Sequence, residues 1–95
     1  MKTYLLVFEG VSGDDLDLKS FVDALDEGAE MMTLDAHVCF LRSGKSLESL
    51  TSIFTRFAGD RLFFITDITH SEYSGRMFGV FWQDFIPSRS KTAAE

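Results

Sequence analysis

The sequence predicts an α+β fold in the order β-α-β-β-α-β, and three features carry that expectation. Two short apolar runs, residues 3–8 and 61–68, flank a longer and β-rich one at 31–41. Stretches with apolar residues at helical spacing separate the three runs. If the middle run folds back on itself as a hairpin, the result is the split βαβ order of a ferredoxin-like domain, two helices on one face of the sheet, with an extra C-terminal strand or short helix.

The first run, TYLLVF, is continuous rather than alternating, which suits a strand in the middle of a sheet, buried on both faces. It ends at Glu9, and Gly10 and Gly13 mark the loop that follows. Asp14, Asp15 and Asp17 are each placed to cap a helix in which Leu18, Phe21, Val22 and Leu25 form one stripe. Asp23 and Asp26 fall on the opposite face of that helix, and Gly28 offers a left-handed stop.

The run MMTLDAHVCFL exceeds an ordinary strand, and Asp35-Ala36 is its best turn. Strands are therefore expected over 31–34 and 36–42, with one strand kinked by a bulge at Asp35 as the competing arrangement. Ser46 is a good N-cap for a second helix carrying Leu47, Leu50, Ile53, Phe54 and Phe57. Glu48 in its first turn and Arg56 in its last match the helix dipole, and Gly59-Asp60 ends it. The run RLFFITDI then makes the last strand of the βαββαβ set, and being apolar on both faces it is expected, with the first run, at the centre of the sheet. Beyond it, Phe78, Phe81, Trp82 and Phe85 fit a helical period, while Phe78, Val80 and Trp82 fit a strand. The domain is expected to span 1–86, with the polar stretch 87–95 a disordered tail.

Ninety-five residues hold one hydrophobic core, and a content of 45% hydrophobic and 14% aromatic residues, ten of them Phe, is ample to fill it. The single Cys39 rules out an internal disulfide and a multi-cysteine zinc cluster, and its apolar surroundings read as a small buried hydrophobe. Nothing approaches the roughly 20 apolar residues of a membrane span. One Lys and five apolar residues before Glu9 are too little for a signal peptide, so a cytoplasmic protein with no membrane partner is expected. Fifteen acidic against nine basic residues give a net charge of −6, which disfavours a nucleic-acid partner held by phosphate contacts. A metal-bridged contact to phosphate stays open.

Two helices cover one face of such a sheet, so the other face should alternate apolar with polar residues. It does not: Leu5 and Val7 oppose Tyr4, Leu6 and Phe8; Leu62 and Phe64 oppose Phe63 and Ile65; Val38 and Phe40 oppose Cys39 and Leu41. About six large side chains would stay uncovered, each worth roughly 1.5–3 kcal/mol on burial. The C-terminal aromatics can cover part of that face, and a second copy of the chain, as a homodimer, the rest.

A family resemblance bears on this. Leu34-Asp35-Ala36 leading into His37-Val38-Cys39-Phe40-Leu41, an amphipathic helix, then Asp60-Arg61-Leu62 opening the last strand, with Gly75 and Trp82 beyond, resembles the small SinR-like proteins. These are standalone relatives of the smaller CRISPR-associated spacer-integration subunit and of VapD-type ribonucleases. The resemblance covers residues 3–86 and implies a ferredoxin-like fold and a homodimer. In the family's nucleases it also implies a metal held by an Asp at the end of the first strand. The matching position carries Glu9, one methylene longer, whereas Mg²⁺ demands octahedral geometry at about 2.1 Å.

Glu9 is thus the one candidate catalytic and metal-binding residue, two copies meeting across a dimer axis to hold Mg²⁺ or Mn²⁺ and activate water; the plainer reading is a residue that ends a strand. Asp14 and Asp15 are read as caps before ligands, and Asp35 and Asp67 as turn and strand-end residues. His37 and His70 lack a zinc spacing, no GxSxG is present, and Gly44-Lys45-Ser46 lacks the first Gly of a phosphate loop. Arg42, Lys45, Arg56 and Arg61 read as solvated charge, and the aromatics of 78–85 as core or interface before base-stacking groups. The expectation is a non-catalytic dimer with a binding or regulatory role and no cofactor; the alternative is a metal-dependent endonuclease or endoribonuclease.

Overall fold

In a computed structural model of the chain, which describes residues 1–10, 16–72, 74–77, 79, 81 and 85, six elements follow one another. They are β1 (Lys2–Phe8), α1 (Leu18–Asp23), β2 (Glu30–Asp35), β3 (Val38–Ser43), α2 (Leu47–Ala58) and β4 (Phe63–Asp67). The fold is α+β, with a four-stranded antiparallel sheet in the order β2-β3-β1-β4.

β1 and β3 form the centre. Tyr4, Leu6, Phe8, Cys39 and Leu41 point to one face and are buried there with Phe21 and Leu25 and with Leu50, Phe54 and Ala58 of α2. Phe54 anchors this layer, its ring 4.8 Å from Phe21, 4.9 Å from Phe63 and 6.0 Å from Phe8. Such tilted and edge-on pairs add to the gain from burial alone. Residues 61–68 were expected at the centre and instead make the edge strand β4. A continuous apolar run reports two apolar faces, not two strand neighbours: Phe63 and Ile65 pack on the core, while Leu62 and Phe64 are 74% and 66% exposed.

Both helix starts match their sequence signals. Asp17 caps α1 through Ser20 N–H at 3.0 Å, and Ser46 caps α2 through Ser49 N–H at 3.2 Å. Asp14 and Asp15, also considered as caps, lie outside the described residues. Gly59, at φ +64°, ends α2 in a conformation that side chains disfavour. α1 ends earlier than expected, at Asp23, and Gly28 has no positive φ. The reason is Asp26: it leaves the helix and its carboxylate accepts from Ser43 Oγ at 2.5 Å and Gly44 N–H at 3.2 Å, pinning the loop to the end of β3. Those donors hold the Asp26 carboxyl below its ordinary range, the Ser43 hydroxyl most of all.

The middle run is a hairpin, but its turn is Ala36-His37 rather than Asp35-Ala36. Asp35 closes the loop by accepting His37 N–H at 2.9 Å, and the register slips between Thr33 and Asp35. Neither turn residue has a positive φ, so the loop is not one of the primed turns that match strand twist, and the irregularity beside Leu34 takes up the difference.

On the other face of the sheet, the aromatics beyond β4 cover the β2–β3 half. Phe81 and Phe85 are buried against Met32, Phe40 and Met77, with the Phe81 ring 4.7 Å from Phe40. Gly79, Phe81 and Phe85 have helical backbone; Phe78, Val80, Trp82 and residues 86–95, including the expected tail, lie outside the described residues. The β1–β4 half keeps Val7 and Phe64, cross-strand partners, in contact with solvent. Among the described residues no helix is long and apolar enough to cross a membrane.

Candidate functional site

The place where the sequence-derived candidate and the uncovered apolar face meet is the end of β1. Glu9 follows the last residue of β1 and lies beside Leu62, just ahead of β4. Its backbone N–H donates to the Leu62 carbonyl at 2.8 Å, and its Oε1 accepts the Leu62 N–H at 3.0 Å. The side chain thus takes the place of a backbone carbonyl and extends the β1–β4 ladder by one step. Val7, Phe8, Glu9, Leu62, Phe63 and Phe64 line a shallow groove of about 320 Å³ here. Its floor is apolar, with Leu62 and Phe64 on the solvent side and the Glu9 carboxylate at one end.

His37 enters the same corner from the β2–β3 turn. Its carbonyl accepts Phe8 N–H at 3.1 Å, and its ring stands edge-on to Phe8 at 5.8 Å. The ring lies directly over Gly10, where a Cβ would overlap it. His70 follows β4 beyond Ile68, whose N–H bonds the Thr3 carbonyl, and so belongs to the opposite end of β1. The structure does not bring the two histidines together.

Among the described residues no group of three or more His, Cys, Asp or Glu side chains could hold a metal ion. Glu9 has one oxygen engaged by the Leu62 N–H.

Several other polar candidates have structural partners. Arg42 pairs with Glu30 at 2.9 Å and lies over the Phe85 ring at 5.8 Å, while Arg61 donates to the Ala58 carbonyl at 3.2 Å. Asp67 accepts from Thr69 Oγ1 at 2.6 Å and Thr69 N–H at 2.9 Å, with Lys2 at 3.6 Å. These hold its carboxyl below the ordinary range, the Thr69 hydroxyl foremost. Burial pushes the Cys39 thiol up to about 12. Gly44-Lys45-Ser46 is spent on structure, Gly44 bonding Asp26, the Lys45 carbonyl accepting Tyr4 Oη at 2.6 Å and Ser46 capping α2.

Sequence reasoning found Glu9, Leu62 and Phe64 but not what joins them. Glu9 and Leu62 are 53 residues apart, and only the pairing of β1 with the last strand brings them together. Comparison with known proteins gives no match to a family, to a curated protein or to a solved structure.

Proposed function

We propose that this chain is a ferredoxin-like, non-catalytic protein that acts as a homodimer through its open sheet face, in a binding or regulatory role. The observation that carries the reading is the pair Leu62 and Phe64, 74% and 66% exposed beside Val7 on the half of the sheet that Phe81 and Phe85 leave bare. Large apolar side chains grouped on one face of a small protein mark an interaction surface. The element order and the strand order β2-β3-β1-β4 support the ferredoxin-like assignment. Kinship with SinR-like proteins belongs to the same proposal and rests on the sequence motifs.

The engagement of Glu9 with Leu62 supports a strand-end role for that carboxylate over a metal-binding one. A lone buried thiol suits the reducing cytoplasm, the compartment this reading assigns.

Sedimentation equilibrium at tens of micromolar tests the association: a dimer mass is expected, and a monomer overturns it. Incubation with labelled RNA and DNA in Mg²⁺ or Mn²⁺ tests the chemistry. No cleavage is expected, and cleavage by the wild type that disappears in Glu9→Ala would establish the nuclease reading instead.

A further inference from the structure

We infer that the self-association proposed above, on which this inference rests, is made at the β4 margin of that open face, edge to edge rather than face to face. Two copies of the strand pair antiparallel about a two-fold axis at Phe64, joining the two sheets into one.

Among the described residues β4 has a neighbour on one side only, β1. The ladder fixes which backbone groups remain. Glu9 N–H bonds the Leu62 carbonyl and Ile68 N–H bonds the Thr3 carbonyl, so the even-numbered residues of this segment face β1. Hydrogen bonding alternates along an antiparallel strand, so Phe63 and Ile65 direct their N–H and C=O outward, as does Asp67, whose carbonyl accepts Ser71 Oγ at 3.5 Å. Such an edge is a template for another strand, and natural proteins usually blunt it with a charge or a proline. Phe63–Asp67 has neither until Asp67.

The occupant follows from the sequence of the edge itself. Outward residues must face outward residues, so a two-fold axis passes through a residue. With the axis at Phe64, Phe63 faces Ile65 of the second copy and Leu62 faces Thr66, while Arg61, ahead of the strand and with its N–H bonded to the Ala58 carbonyl, lies opposite the Asp67 end. Every apolar residue then meets a side chain of compatible kind, and the charges at the two ends are opposite. With the axis at Ile65, Phe63 faces a carboxylate; at Phe63, Arg61 faces Ile65. The segment is self-complementary in one register, which selects a second copy of this chain over an unrelated strand. In that register Phe64 meets itself at a non-hydrogen-bonded pair, where side chains approach most closely. Phe64 and Leu62 then lie on the same face as Val7, so the uncovered patches of the two copies become continuous.

Cysteine pairing separates edge joining from face-to-face packing. Across an antiparallel pair the Cα atoms come within the roughly 4.4–6.8 Å a disulfide spans, whereas stacked sheets lie about 10 Å apart. Under mild oxidation Phe64→Cys should give a covalent dimer, and so should the double variant Leu62→Cys/Thr66→Cys. Leu62→Cys alone and the wild type, with Cys39 in the core, should not. As a measurement on the unmodified chain, the Phe63 and Ile65 amides should gain protection from hydrogen exchange as concentration rises through the dimerisation range. The Phe64 amide, turned to β1, should be protected throughout. A dimer by sedimentation with no Phe64 cross-link and no concentration-dependent protection at Phe63 and Ile65 overturns edge pairing and leaves the dimer standing. A monomer at all concentrations overturns both.

Discussion

Glu9 bonds Leu62 twice, once through its backbone N–H and once through its side-chain carboxylate, and so closes the open end of the β1–β4 ladder. Removing the carboxylate leaves the Leu62 N–H to water at an exposed site, so Glu9→Ala should lower stability by about 0.5–1.5 kcal/mol. Glu9→Gln keeps an acceptor oxygen and should recover most of that loss. Urea denaturation of the three proteins checks the order.

Asp26 gives the molecule an acid-sensitive contact. Its carboxyl titrates lower in the folded chain than its ordinary value of 3.8, chiefly because Ser43 Oγ bonds the charged form. A carboxyl with a depressed folded pKa contributes stability in full above its unfolded pKa and loses it as pH falls through the folded one. Asp26→Ala should therefore cost about 1–2 kcal/mol at neutral pH. The gap between variant and wild type should narrow once the pH drops below 3.8. Thermal melts of both proteins at several pH values follow the effect.

The Cys39 thiol is inaccessible, with its pKa pushed up to about 12 by burial. Little thiolate exists at pH 8, and none of it is in contact with solvent. A thiol reagent should leave the native chain unmodified over hours and react fully once denaturant unfolds it. Rapid stoichiometric labelling of the native protein would contradict the placement of β3 between β1 and β2.

Phe54 is fully buried and its ring touches rings from β1, α1 and β4. Phe54→Ala opens a cavity among three elements and should cost about 3–5 kcal/mol. That is a large share of the stability of a small domain. Phe64→Ala removes a ring of comparable size from the surface and should change monomer stability by less than about 0.5 kcal/mol. Chemical denaturation at low concentration compares the two.

The periodic signals in the sequence are legible where one physical cause produces them. The stripe from Leu47 to Phe57, with Ser46 before it and Gly59 after, has helical spacing because one side faces the core, and α2 has those limits. Local pattern misled where a distant partner decided. Asp26 looked like a solvated helix residue, yet its acceptor role depends on Ser43, reached only after β2 and β3 pair. The turn moved by one residue because Asp35 satisfies His37 N–H, a choice between neighbouring geometries that composition does not resolve. The last strand was placed at the centre because its two apolar faces resemble those of β1. Nothing local in RLFFITDI distinguishes a face covered by helices from one left exposed. At the site, Glu9 was legible as a strand-end residue, while its bond to Leu62 was not, because it depends on pairing across most of the chain.

The strand order has a kinetic side. β1 lies between β3 and β4, so the first strand acquires its second neighbour only when the last one arrives, and Thr3 meets Thr69 across 66 residues. Closing a loop of that length precedes any reward from the contacts it creates, and chains rich in such pairings fold more slowly than helical bundles. During synthesis β1 therefore emerges with both edges bare and waits for the rest of the sheet. The rate-limiting event in reaching the native state should be docking β4 against β1.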